Sequence, residues 1–196
     1  MARPRSAERE HTILMAAVRA IAAQGLGTST ATIAGEAGVS NGSLFTYFDT
    51  KTHLLNRLYL ELKAEMAAAA LQALPTDRDL RAQLLHMWLH WLRWATSSPE
   101  KRRTLAQLEV SDEITPQSHQ TANQTMAGIA ALLEAVREQG ALREVPLAFS
   151  VALMSALADT TTDFMIRDPA NAERHSLAAF EALWRMIAGP AVPPKG

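Results

Sequence analysis

Apolar residues recur along this chain every three to four positions almost from end to end, and runs of β-branched residues are missing. That period belongs to amphipathic helices rather than strands. The pattern predicts an all-α fold of about nine helices. Ser6 is placed to cap the first, Ile13, Ala17, Val18 and Ile21 form its buried stripe, and Gly25 stops it. A short second helix is expected over 31–37 with Thr30 as its cap, a tight turn at Gly38, and a third helix over 41–48 capped by Ser40. The fourth is expected from Lys51 to Leu74, ended by Pro75.

Beyond that point the grain becomes longer. Helices are expected over 79–97, from Pro99, over 116–140, from Pro146 to about Asp168, and over 171–188, with prolines at first turns and glycines at ends. Residues 1–50 therefore read as a compact unit of short helices, 51–188 as a bundle of long ones opening on a connecting helix, and 189–196 as a disordered tail.

Composition narrows the class. With 48% hydrophobic residues the chain of 196 residues can build a core, and with no cysteine it can hold neither disulfides nor thiolate metal sites. No run approaches the ~18 apolar residues of a membrane span. The charged start "MARPRSAEREHTILMAAV" does not read as a signal peptide, so a cytoplasmic protein with no membrane partner is expected. The net charge is −1, and residues 3–51 carry five basic against four acidic groups, a surplus of one. That is modest for a chain that grips phosphates, and helix amino ends, hydroxyls and backbone N–H groups are the alternative source of such contacts. The arm with Arg3, Arg5 and Arg9 reads equally as a cationic contact or a solvated tail.

The stretch "AGVSNGSLFTYFDTK" (37–51) holds two short helices joined at Gly38, the pattern of a helix-turn-helix. On a helical wheel Asn41, Leu44, Phe45 and Phe48 fall on one half, expected to pack inward. Gly42, Ser43, Thr46 and Tyr47 fall on the other. The second half is small, hydroxylated and uncharged, suited to a major groove.

These residues resemble the signature of the TetR family of bacterial transcriptional regulators. The resemblance runs through Ile33, Ala34, Ala37, Gly38, Val39, Ser40, Gly42, Leu44, Phe45, Tyr47, Phe48 and Lys51 and covers roughly the first 60 residues. It implies that Thr30 and Lys51 meet phosphates of double-stranded DNA and that Asn41, Gly42, Ser43, Thr46 and Tyr47 form the recognition helix. Phe45 stands where the family more often has tyrosine, so a hydroxyl contact to phosphate is lost there. The resemblance also implies pairing of the last two long helices with their copies in a homodimer.

The second half carries the candidate regulatory chemistry. Trp88, Trp91 and Trp94 fall every third residue on a helix that is apolar over more than half its circumference. They read either as bulky core or as the lining of a cavity for an apolar or aromatic effector. In the cavity reading Trp88 and Trp91 form the lining, and Met126 and Leu133 from the helix over 116–140 close it. Asp159 and Asp163 are an i, i+4 pair that is either surface or a polar anchor, with Asn123 a further anchor. Leu177, Phe180, Leu183 and Trp184 form the stripe expected at or beneath the dimer interface. His86 and His90 have a chelating spacing but share a polar arc with Arg93 and lack a carboxylate at the matching offset, so no metal is expected. No cofactor is expected either.

Together these features point to a ligand-responsive transcriptional regulator, most simply a repressor binding a palindromic operator as a dimer. The alternative is a DNA-binding protein without an effector, controlled by a protein partner. An all-helical enzyme is the third reading, and the chain shows no nucleophile elbow, phosphate loop or acid-base cluster to support it.

Overall fold

The computed structural model describes residues 3–138 and 140–189, with side chains from Ser6 onward. Residues 190–196 of the expected tail, and the side chains of Arg3 and Arg5 in the basic arm, lie outside the described residues. Among the described residues ten α-helices follow one another: α1 (Arg3–Gln24), α2 (Thr30–Glu36), α3 (Asn41–Phe45), α4 (Lys51–Leu71), α5 (Leu80–Ser97), α6 (Pro99–Glu109), α7 (Pro116–Thr125), α8 (Ala127–Arg137), α9 (Leu147–Arg167) and α10 (Ala172–Ala188), with a 3-10 turn at Pro169–Asn171. Among the described residues there is no strand.

Several boundaries differ from the sequence reading, among them the end of α4, at Leu71 instead of Leu74. Ser6 lies inside α1, not at its cap. The cap of α2 is Ser29, whose hydroxyl accepts from the Thr32 N–H, so Thr30 is the first helical residue. The helix expected over 116–140 is two helices broken at Met126. The apolar period runs through the break, from Ala122 to Ile129 and Leu133, so pattern alone reads one helix. Asn123, Thr125 and Gly128, all weak helix formers, cluster where the chain leaves one compact unit for the other.

The chain divides into two compact units. The first holds residues up to Glu65 together with Ser98–Gln124. The unit around the short helices is therefore larger than the expected 1–50. Side-chain hydrogen bonds explain the extension. The buried Thr104 hydroxyl of α6 donates to the Val18 carbonyl of α1 at 3.1 Å. Asn56 on α4 donates to the Thr52 carbonyl (2.8 Å) and the Glu113 carbonyl (2.7 Å), and its own oxygen accepts from the Thr115 N–H (2.9 Å). A buried amide so fully used holds the α6–α7 connection to α4, and a mispaired one costs about 1–3 kcal/mol.

The second unit holds Met66–Ser97 and the residues from Thr125 on. Its core centres on Trp88, which exposes no surface and donates its indole N–H to the Ser176 carbonyl of α10 at 3.0 Å. Leu84, Leu92, Leu133, Phe180 and Leu183 pack with it. Arg81 lies over the Phe180 and Trp184 rings at 5.5 and 5.9 Å and pairs with Glu181. His86 and His90 stack with ring centroids 4.1 Å apart. They hydrogen-bond the Gln72 and Ala69 carbonyls at the carboxyl end of α4, where carbonyls otherwise lack helical partners.

Two outcomes follow from this core. Trp88→Phe is expected to lower stability by about 2–3 kcal/mol, from a lost hydrogen bond and an unfilled volume, measured by denaturant unfolding. Burial, then His86 and Arg93, hold His90 below the usual histidine value of 6.5. A depressed folded value means that the unfolded chain binds the proton more readily. Stability contributed here is present above pH 6.5 and is lost as pH falls below it. His90→Gln is expected to flatten that acid-side loss in thermal melts.

Candidate nucleic-acid interface

The geometry around α3 begins with Gly38, whose φ of +67° is a left-handed conformation that side-chain-bearing residues adopt only at a cost. The Val39 N–H reaches back to the Ala34 carbonyl at 3.0 Å, which closes the end of α2 and turns the chain. Ser40 then caps α3 as expected, accepting from the Ser43 N–H at 3.0 Å. Helix α3 is shorter than the expected 41–48. Thr46 is its carboxyl cap, and its hydroxyl donates to the Ser43 carbonyl at 2.7 Å, which turns the chain before Tyr47.

Leu44 and Phe48 anchor this segment inward with 0% and 1% exposure. Asn41, Gly42 and Thr46 are exposed, and Ser43 and Tyr47 half-buried. The wheel assignment of Asn41 and Phe45 to the inner half is corrected: both are exposed, Phe45 at 40%. Leu44 with Phe48 fills the space below α3, and Phe45, one residue round the helix, is turned away from it. Ser43 is also less available than its sequence position suggested, because its hydroxyl bonds the Ser40 hydroxyl at 2.9 Å.

Thr30 is half-buried at the first turn of α2. Lys51, at the first position of α4, directs its ammonium to the Leu26 carbonyl at 2.6 Å, which ties down the α1–α2 loop. One of its three N–H donors is thereby used. Neighbouring acidic groups are taken up by cations on α1 and α4: Glu36 meets Arg19 at 3.6 Å and Glu10 meets Arg57 at 3.0 Å. Asp49 is the acid beside α3, 3.8 Å from His53. The surface of α3 is thus uncharged, small and polar, with one aromatic ring.

The candidate residues of the second unit are distributed differently. Trp88 and Leu133 expose no surface and are close-packed core. Trp91 and Met126 are half-buried, with Trp91 edge-on to Trp88 at 6.3 Å. Asp159 and Asn123 are exposed and Asp163 half-buried. Of the expected interface stripe, Phe180 and Leu183 are inside the chain's own core, Trp184 is half-buried, and Leu177 is exposed at 40%. Phe149 and Phe164 of α9 are half-exposed apolar residues that the sequence reading passed over. On a helix apolar nearly all round, periodicity carries no signal to separate inside from outside. Among the described residues no group of three or more His, Asp or Glu side chains gathers to hold a metal, and no helix is long and apolar enough to cross a membrane.

Comparison with known proteins places this geometry. Residues 13–58 match the family model of bacterial regulatory proteins, tetR family. A proposed tetR family transcription regulator from Shewanella sp. PV-4 is 29% identical, with a TM-score of 0.81 over 90% of this chain and 96% of that one. A TetR family transcription regulator from Marinobacter aquaeolei VT8 shares the fold at 24% identity, with a TM-score of 0.84 over 93% of this chain and 96% of that one. The transcriptional regulator FadR from Bacillus subtilis, solved in complex with stearoyl-CoA, shares it at 16% identity, with a TM-score of 0.68 over 91% and 98% of the two chains.

For the interface residues the expected outcome is specific. Tyr47→Ala is expected to weaken binding to a cognate duplex about tenfold with little change in melting temperature. Lys51→Ala is expected to weaken binding and reduce the salt dependence by about one ion. Because Lys51 also holds the Leu26 carbonyl, it is expected to cost about 1 kcal/mol of stability. Fluorescence anisotropy across salt concentrations and thermal melts read both effects.

Proposed function

We propose that this chain, a TetR-family transcriptional regulator, acts as a homodimer that binds a palindromic operator in double-stranded DNA. We further propose that it represses transcription until a small apolar or aromatic effector releases it. The observation that carries the DNA-binding part is the surface of α3: uncharged, small, and presented by a glycine turn and a serine cap, with Lys51 at the first position of α4, six residues after α3 ends. Thr30, Asn41, Gly42, Ser43, Thr46, Tyr47 and Lys51 are its contact residues. Two such surfaces on a dimer read half-sites ~34–36 Å apart. A partner of this kind sets the location in the cytoplasm.

Dimerisation is supported by the apolar residues left outside the core. Leu177 on α10 and Phe149 and Phe164 on α9 are each at least 40% exposed. Covering a side chain of that size contributes on the order of 1 kcal/mol or more at ~25 cal/mol per Å². Phe180, Leu183 and Trp184 lie beneath or beside that surface rather than on it.

Effector control draws on the polar atoms of α9. The Ser150 and Thr162 hydroxyls are buried and find no hydrogen-bond partner among the described residues. Each costs about 1–3 kcal/mol in that state, which a bound molecule with polar atoms relieves. Trp91 and Met126 are the accessible apolar contacts, and Asp159 and Asp163 the acidic ones. Trp88 and Leu133 join such a site only if the core opens. Their complete burial is the observation that favours the second reading, a DNA-binding protein controlled by a protein partner. The Bacillus subtilis protein of the same fold was solved with stearoyl-CoA bound, a molecule that joins a long acyl chain to a charged head.

The test has two parts. Sedimentation at micromolar concentration is expected to give a dimer, and Leu177→Glu to weaken it at least about tenfold. A monomeric native protein contradicts the reading. Apolar and aromatic compounds screened against a preformed protein–DNA complex are expected to yield one that dissociates it and changes Trp91 fluorescence. Release only by added protein supports partner control.

A further inference from the structure

One residue of α3 has chemistry unlike its neighbours. Phe45 is exposed at 40%, although Leu44 and Phe48 beside it are completely buried. It stands on the same ridge as Asn41, one turn earlier, and Gly42, three residues earlier. Asn41 and Gly42 are themselves exposed. A Cβ built on Gly42 would meet only the Ser40 hydroxyl, at 3.9 Å, so the ridge is open on that side of the ring. An isolated exposed aromatic residue needs no special explanation. This one lies on the surface assigned to the major groove.

Phenylalanine can neither donate nor accept a hydrogen bond, so it can pair with neither a phosphate nor a polar base edge. One base presents an apolar group in the major groove, the C5 methyl of thymine. We propose that Phe45 reads sequence: its ring packs on the C5 methyl of one thymine in each half-site and disfavours bases that lack a methyl at that position. The proposal rests on the DNA-binding reading above and adds a base preference to it. The side chains that share the ridge fit this role. Asn41 supplies the hydrogen-bonding amide, Gly42 leaves room for close approach, and Phe45 supplies the apolar contact.

The experiment uses the full-length protein. A consensus duplex is first recovered by selection from random double-stranded DNA. Each thymine is then replaced by deoxyuridine, which removes the methyl and leaves every hydrogen-bonding atom in place, and affinity is measured by fluorescence anisotropy. One thymine per half-site is expected to be sensitive, with a loss of about fourfold per methyl and about fifteenfold when both half-sites are substituted. Phe45→Ala is expected to bind the thymine and deoxyuridine duplexes equally, within about 1.5-fold. Phe45→Leu, which keeps an apolar but smaller group, is expected to show an intermediate dependence, and it replaces the alanine variant in the cycle if that variant does not fold. The wild-type series alone overturns the proposal if no thymine is sensitive or if the consensus has none in its half-sites. An equal loss in wild type and Phe45→Ala overturns it too, because the methyl is then read by another residue. If no duplex is retained at all, the DNA-binding reading itself fails and this proposal falls with it. A retained duplex without methyl dependence removes only the role of Phe45.

Discussion

The left-handed backbone at Gly38 constrains the amino-terminal unit more than any side-chain contact does. With φ at +67°, the chain leaves α2 through a hydrogen bond from Val39 to Ala34 and enters α3 already aligned for its cap at Ser40. A side chain at that position strains the turn. If the turn opens, Leu44 and Phe48 lose their fixed direction into the core, and with them the outward ridge of Asn41, Gly42, Phe45 and Thr46. The surface proposed to meet DNA is thus a consequence of backbone conformation, with few side-chain interactions of its own.

Much of this was legible in the sequence because it is local. A glycine followed two residues later by a serine, then by a leucine and phenylalanine four apart, encodes turn, cap and buried face within eleven residues. The tetR family model covers the same part of the chain. What local pattern could not decide was which of two adjacent aromatic residues faces in. The wheel put Phe45 with Leu44 and Phe48, but α3 is one turn long and the short space beneath it is filled by that pair. The cap at Ser29 instead of Thr30 was missed for a related reason: both residue types cap helices well, and only the hydrogen bond to Thr32 separates them.

The non-local features were less legible. Nothing in the run "HLLNRL" marks Asn56 as the residue that holds the α6–α7 connection, because its partners there, Glu113 and Thr115, are more than fifty residues away. The tryptophan-rich helix was readable as apolar on most sides, yet core and cavity lining share the same composition. The bond from Trp88 to Ser176, across 88 positions of sequence, and the complete burial of Leu133 place those two residues in packed core. The same ambiguity affected α10, where Phe180 and Leu183 serve the chain's own interior and Leu177 remains outside. Helices apolar on several sides carry too little periodicity to assign each side a neighbour.

The central claim is that the ridge of α3 enters the major groove, and dimethyl sulfate protection on a selected duplex tests it most directly. The reagent methylates guanine N7 in the major groove and adenine N3 in the minor groove, so one experiment reports both. The account predicts protection of guanine N7 in two patches about one helical turn apart on the same face of the duplex, with adenine N3 in those patches still reactive. Protection confined to adenine N3, or a single patch without a symmetric partner, would contradict it.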